Sequence, residues 1–182
     1  MTEPMRPRRP AILEPADAEA IRGEEDPALV AEAAALSAAA TINACPLPTD
    51  ISDDARELLD HAGDAGLSAL AALWAQSPAS TTPGTLWRLY LLHEWWQSAP
   101  ERVGQATRSV GIDPSSVFVQ LTSLFSAGAP SFPAVLRACA HLTEALSTLD
   151  QDALPPLPLL SIPALAQDLA RASQLQSRGA LE

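Results

Sequence analysis

Histidine is the side chain best suited to proton transfer and metal binding near neutral pH. This chain has three, and each has a carboxylate close by. His61 stands three residues before Asp64, His141 three before Glu144, and His93 directly precedes Glu94. An imidazole and a carboxylate at i,i+3 share one face of a helix. Bundles build metal sites from such pairs on facing helices. His93, His141 and Glu144 are the candidate donors if such a site exists. With 22 acids in the chain, however, a histidine meets a carboxylate often by chance. His61, in a run of acids, reads as a solvated or helix-capping group. No metal or other cofactor is expected.

His93 and Glu94 also open the stretch His93-Glu94-Trp95-Trp96-Gln97, which has the outline of a zinc-protease helix. That motif needs a second histidine four residues after the first, so that two imidazoles reach one ion. Position 97 is glutamine, and an amide seldom ligates zinc. The motif fails at its second ligand.

The wider stretch, Thr85 to Gln97, holds three of the four tryptophans and the single tyrosine. At about 100° per residue, Leu86, Leu89, Leu92, Trp95 and Trp96 cover one broad side of a helix. Trp87, Tyr90 and Leu91 cover much of the other. A helix apolar nearly all round is packed on several sides, so this segment is expected to be the spine of the core. Two rivals use the same residues. Aromatics and arginine concentrate in protein interfaces, which makes Trp87, Arg88, Tyr90, His93, Glu94, Trp95 and Trp96 the candidate contact set. In a ligand pocket, Arg88 would hold an anion and His93 or Glu94 would handle protons. The discriminator is whether Arg88, His93 and Glu94 converge.

Other motifs are weaker. Residues 105–121 have the outline of a helix-turn-helix, but the second helix brings no arginine or lysine to a phosphate or a guanine. Cys45 lies beside a proline at a helix end, where a thiol can be reactive. Cys139, between alanines on a helix, reads as buried and inert. The chain has no glycine-rich phosphate loop, nucleophile elbow or paired CxxC.

The elements that would position these residues are helices. Asp26-Pro27, Pro100 and Asp113-Pro114 are helix-start signals, as is Ser52 or Asp53 followed by acids. Helices are expected over about 27–44, 52–63, 67–76, 85–98, 100–110, 114–127, 131–150 and 163–177, with a further short one at 16–22. No stretch combines period-two alternation with β-branched enrichment. The expected fold is an all-α irregular bundle of seven or eight helices around a central aromatic helix. A single domain would run over 16–178, preceded by a flexible proline/arginine tail at 1–15. A proline-rich connector, 154–162, would lie against the body and lead to the last helix. Residues 179–182 are expected to be a loose end, and the closing Leu-Glu has the look of a tag remnant.

The bulk composition narrows the function classes. At 182 residues the chain buries roughly 70% of the surface its unfolded form exposes, enough for a core without disulfides or metals. Net charge is -11, from 22 acids and 11 bases, all of them arginine. An acidic domain repels polyphosphate, so nucleic acid is a poor partner. Neither a membrane span nor a secretory signal is visible, which leaves the cytoplasm as the expected address. The resulting expectation is a non-enzymatic protein–protein interaction or regulatory module, binding a protein partner or itself as a homodimer. The alternative is a bundle that binds a small molecule or metal beside the aromatic helix.

Overall fold

The computed structural model describes residues 26–43, 46–126 and 131–182. These residues form eight α-helices and no strand, so the all-α expectation holds. The helices are α1 (Pro27–Asn43), α2 (Asp53–Ala65), α3 (Leu67–Trp74) and α4 (Thr82–Ser98), then α5 (Pro100–Ser109), α6 (Pro114–Phe125), α7 (Phe132–Leu146) and α8 (Ile162–Ser177). The expected tail at 1–15, the short helix at 16–22 and Cys45 lie outside the described residues.

Start signals act as their chemistry requires. Asp26 accepts from the Ala28 amide, Ser52 from Ala55, Thr81 from Gly84, Asp113 from Ser115 and Ser161 from Ala164. Each bond satisfies a backbone N–H that the first helical turn leaves orphaned. Stop signals read from sequence are less accurate. α2 passes through Gly63 and ends at Ala65, because Gly66 is the glycine that adopts φ 94° and turns the chain into α3. α7 ends at Leu146 rather than near residue 150, and a single 3-10 turn over Gln151–Ala153 follows it.

α4 is the spine. It packs against α1, α3, α5, α6 and α8, and Leu86, Leu89, Leu92 and Trp95 are fully buried. It begins one turn earlier than its aromatic content suggests, at Thr82. Gly84 makes that start possible: a Cβ there would lie 1.9 Å from the Pro78 carbonyl oxygen. The first turn of α4 therefore sits directly on the backbone of the preceding loop.

α7 and α8 form the most extensive helix pair. The connector between them packs on its own domain, with Leu154, Pro155 and Ile162 buried and Leu157 and Leu160 against the core. Leu159 breaks the pattern, being 80% exposed at φ 68°. The Leu160 amide donates to the Pro158 carbonyl at 2.9 Å. This is the rare strained form of the γ-turn. Residues 179–182, expected to be loose, also touch the body: Leu181 packs on the core and the Glu182 carbonyl accepts from the Thr82 amide. Among the described residues, no helix is long and apolar enough to cross a membrane.

Candidate functional site

The candidate residues on α4 leave the helix in several directions. Trp95 points inward. It has no exposed surface, and its indole N–H donates to the Pro155 carbonyl at 2.9 Å, tying the spine to the connector. Arg88 leaves near the same side and donates through Nε to Asp168 Oδ2 on α8 at 2.6 Å; one of its terminal nitrogens bonds the Gly84 carbonyl at 2.8 Å. Its charge is thus spent on a half-buried clamp between α4 and α8.

Trp96 turns toward α6, where it stacks on Phe118 with ring centres 4.2 Å apart and planes 10° from parallel. His93 meets the edge of Phe125, ring centres 5.7 Å apart, while its Nδ1 lies 3.3 Å from Glu94 Oε1. The Gln97 amide approaches His93 Nε2 at 3.4 Å. The helical register that zinc motifs use is therefore occupied by an imidazole and an amide. Arg88, His93 and Glu94 leave the helix toward Asp168, Phe125 and solvent respectively, and do not converge among the described residues. His141 and Glu144 are exposed on α7, and among the described residues no group of three or more His, Cys, Asp or Glu side chains is placed to hold a metal ion.

What remains is an outward stripe. Trp87, Tyr90, Glu94 and Gln97 follow one another at spacings of three or four residues, which puts them along one face of α4. Trp87 and Tyr90 are half-buried and stacked, with ring centres 5.7 Å apart. Phe125, the last residue of α6, receives Tyr90 edge-on at 6.3 Å and lies 6.4 Å from Trp74. Trp74 is fully buried, and its N–H donates to Ser37 Oγ at 2.9 Å. A continuous aromatic path therefore runs from a core tryptophan to a surface one. The stripe is packed from below by Phe125, an arrangement that lowers the ordering cost a partner would meet.

Glu94 and Gln97 both lie against His93, whereas the polar atoms of the two rings are uncommitted among the described residues. Among the described residues, neither the Trp87 indole nitrogen nor the Tyr90 hydroxyl has a hydrogen-bond partner, in contrast with Trp74 and Trp95. Burial, and then the Glu94 carboxylate, push the Tyr90 hydroxyl above the usual phenol range. The stripe thus offers π-faces, two N–H or O–H donors, and one exposed carboxylate. Away from it, a groove of about 400 Å³ opens between α5 and the turn after α7, with Arg102 and Asp150 among its walls. It takes no residue from α4. Cys139 is wholly buried, and burial pushes its thiol up to about 12.

Sequence reasoning missed three partners that organise the site: Phe125, Asp168 and the Pro155 carbonyl. Only Asp168 carried a signal, as the single acid in an otherwise uncharged stretch of the last helix between Ser161 and Ala170. The fold and the face together define a small acidic helical bundle with a preformed aromatic stripe. No family model matches the chain, and no curated protein and no solved structure matches it either.

Proposed function

We propose that this protein is a non-enzymatic helical interaction module, regulatory or self-associating, whose docking face is the Trp87–Tyr90–Glu94 stripe. One observation carries the reading: Trp87 and Tyr90 on the spine helix remain half-buried, with their polar atoms unspent among the described residues, while Trp95 on the same helix is buried and paired. Half-buried Trp and Tyr, backed by packed rings, are the composition of interface hot spots. Leu159, presented on a strained turn, adds a second apolar feature; strain of this kind persists where the surroundings over-determine it and is concentrated at contact sites.

The test is sedimentation velocity or native mass spectrometry across a wide concentration range, on the parent chain and on Trp87→Ala and Tyr90→Ala. The reading expects the parent to associate as concentration rises, and both variants to lose that association while retaining their helical circular dichroism. Variants that stay folded and associate as the parent does would remove the stripe from the function.

A further inference from the structure

One motif remains unused: Pro4-Met5-Arg6-Pro7-Arg8-Arg9-Pro10, which precedes the described residues. Its prolines recur every third residue. Three residues per turn is the period of the polyproline II helix, whose φ proline already sets. In that form the three prolines lie along one edge, and Arg6 and Arg9 share the next. Such a segment makes no internal hydrogen bonds, so its carbonyls are free to accept. Its recognition surface is an aromatic platform with donors for those carbonyls and, for the arginines, ring faces and a carboxylate.

The stripe on α4 has all of these. Trp87 and Tyr90 are stacked and half-buried, the indole N–H and the hydroxyl have no partner among the described residues, and Glu94 is exposed beside them with His93 Nδ1 at 3.3 Å. The spacings are compatible: Trp87 to Glu94 is about 10 Å along the helix axis, between the roughly 6 Å from Pro4 to Arg6 and the roughly 12 Å from Pro4 to Arg8 in the polyproline form. Charge is complementary. Residues 1–10 carry three arginines and one acid, whereas residues 26–182 carry seven arginines and sixteen acids. Reach is ample. The 16 residues from Pro10 to Asp26 extend up to about 55 Å, against a domain radius of gyration of roughly 15 Å. A tether of this kind raises the effective concentration to the millimolar range, so a weak contact is still populated.

We propose that the Trp87–Tyr90–Glu94 stripe is a receptor for arginine–proline segments in the polyproline II form, and that its resident occupant is Pro4–Pro10 of the same chain. Pro4 seats on the Trp87–Tyr90 pair, and Arg6 or Arg8, two or four residues along, pairs with Glu94. The proposal rests on the reading of the stripe as a docking face and names what it docks. It also makes the segment a competitor for that face: a partner must displace it, and self-association strengthens when its charge is removed.

The experiment is a nitrogen–proton correlation spectrum of the full chain, in which the four indole N–H groups report separately. The parent is compared with Arg6→Gln/Arg8→Gln/Arg9→Gln, with Glu94→Gln, and with Glu57→Gln/Asp60→Asn on the acidic surface of α2. At low salt the arginine variant and Glu94→Gln move the Trp87 indole, while the Trp74 and Trp95 signals stay put. In the parent, raising salt from about 20 to about 500 mM produces the same movement, because exposed charge pairs are screened. An unmoved Trp87 signal in the arginine variant overturns the proposal. So does a movement reproduced by the α2 variant and not by Glu94→Gln, since the arginines would then sit on α2. A low-salt difference that vanishes on dilution places the segment on a second copy, and docking within one chain falls. Failure of the underlying reading shows separately, as Trp87→Ala and Tyr90→Ala variants that associate like the parent.

Discussion

Trp95 and Trp87 lie on one helix, two turns apart, and have opposite fates. Trp95 has no exposed surface and spends its N–H on the Pro155 carbonyl at 2.9 Å. Trp87 is half-buried, stacked on Tyr90 and bonded through nitrogen to nothing among the described residues. Residue type is the same; the neighbours differ. α8 and its connector cover the side where Trp95 emerges, α6 covers Trp96, and α1, α3 and α5 pack on the spine as well; among the described residues the Trp87–Tyr90 side is the part they leave half-buried. A helix apolar nearly all round needs neighbours on every side. Among the described residues its neighbours cover the Trp87–Tyr90 side only in part, and that deficit is the argument for a docking face.

The sharpest way to break the comparison is to truncate each tryptophan. Trp95→Ala removes a fully packed indole and leaves the Pro155 carbonyl without its donor; it should cost about 3–5 kcal/mol in denaturant unfolding. Trp87→Ala loses stacking and partial burial only, and should cost about 1 kcal/mol. Equal costs would mean that Trp87 is core and that the stripe is no surface. Next in size is Ser37→Ala on α1. The Ser37 hydroxyl accepts from Trp74 and donates to the Ala33 carbonyl at 2.8 Å. Its removal strands a buried indole N–H at the root of the aromatic path, a cost of about 1–3 kcal/mol. It should also loosen Phe125, and hence the Tyr90 ring, seen as broadened aromatic signals.

The all-helical fold was legible because proline and capping residues punctuate this chain: Asp26-Pro27, Ser52 and Asp113-Pro114 each name a helix start by local chemistry alone. The ends were less legible. Gly63 and Gly66 are equivalent in sequence, and only the packing of α2 against α3 selects the second as the turn. Within the site, the spine role of residues 85–97 could be read from its two-sided apolar pattern. Which side would stay open could not, because that depends on where α5, α6 and α8 finally sit. Arg88 shows the same limit: beside His93 and Glu94 in sequence it suggests an anion site, yet 80 residues separate it from Asp168, the partner that uses its charge.

Leu159 offers a smaller test in the opposite direction. A left-handed conformation costs a non-glycine residue about 1–2 kcal/mol, and asparagine adopts it more easily than leucine. Leu159→Asn should therefore raise stability by about 0.5–1 kcal/mol. If it also weakens association, the strained turn is part of the contact surface; if association is unchanged, the contact is confined to α4.

The smallest effect reports most directly on the stripe. Tyr90 is the single tyrosine, so tyrosinate absorbance on titration belongs to it alone. Burial first, and Glu94 second, disfavour the phenolate, so the midpoint should lie above the usual value of about 10. The sign for stability follows. The neutral phenol is favoured in the folded state, so its small contribution is complete below the unfolded value and is lost as pH rises through the folded one. Glu94→Gln deletes only the second cause. The midpoint should fall but stay above that of an exposed phenol, because the Trp87 ring still covers part of Tyr90. A fall all the way to the ordinary value would mean that the carboxylate alone shifts the phenol. The two rings would then not form the half-buried platform on which the docking face depends.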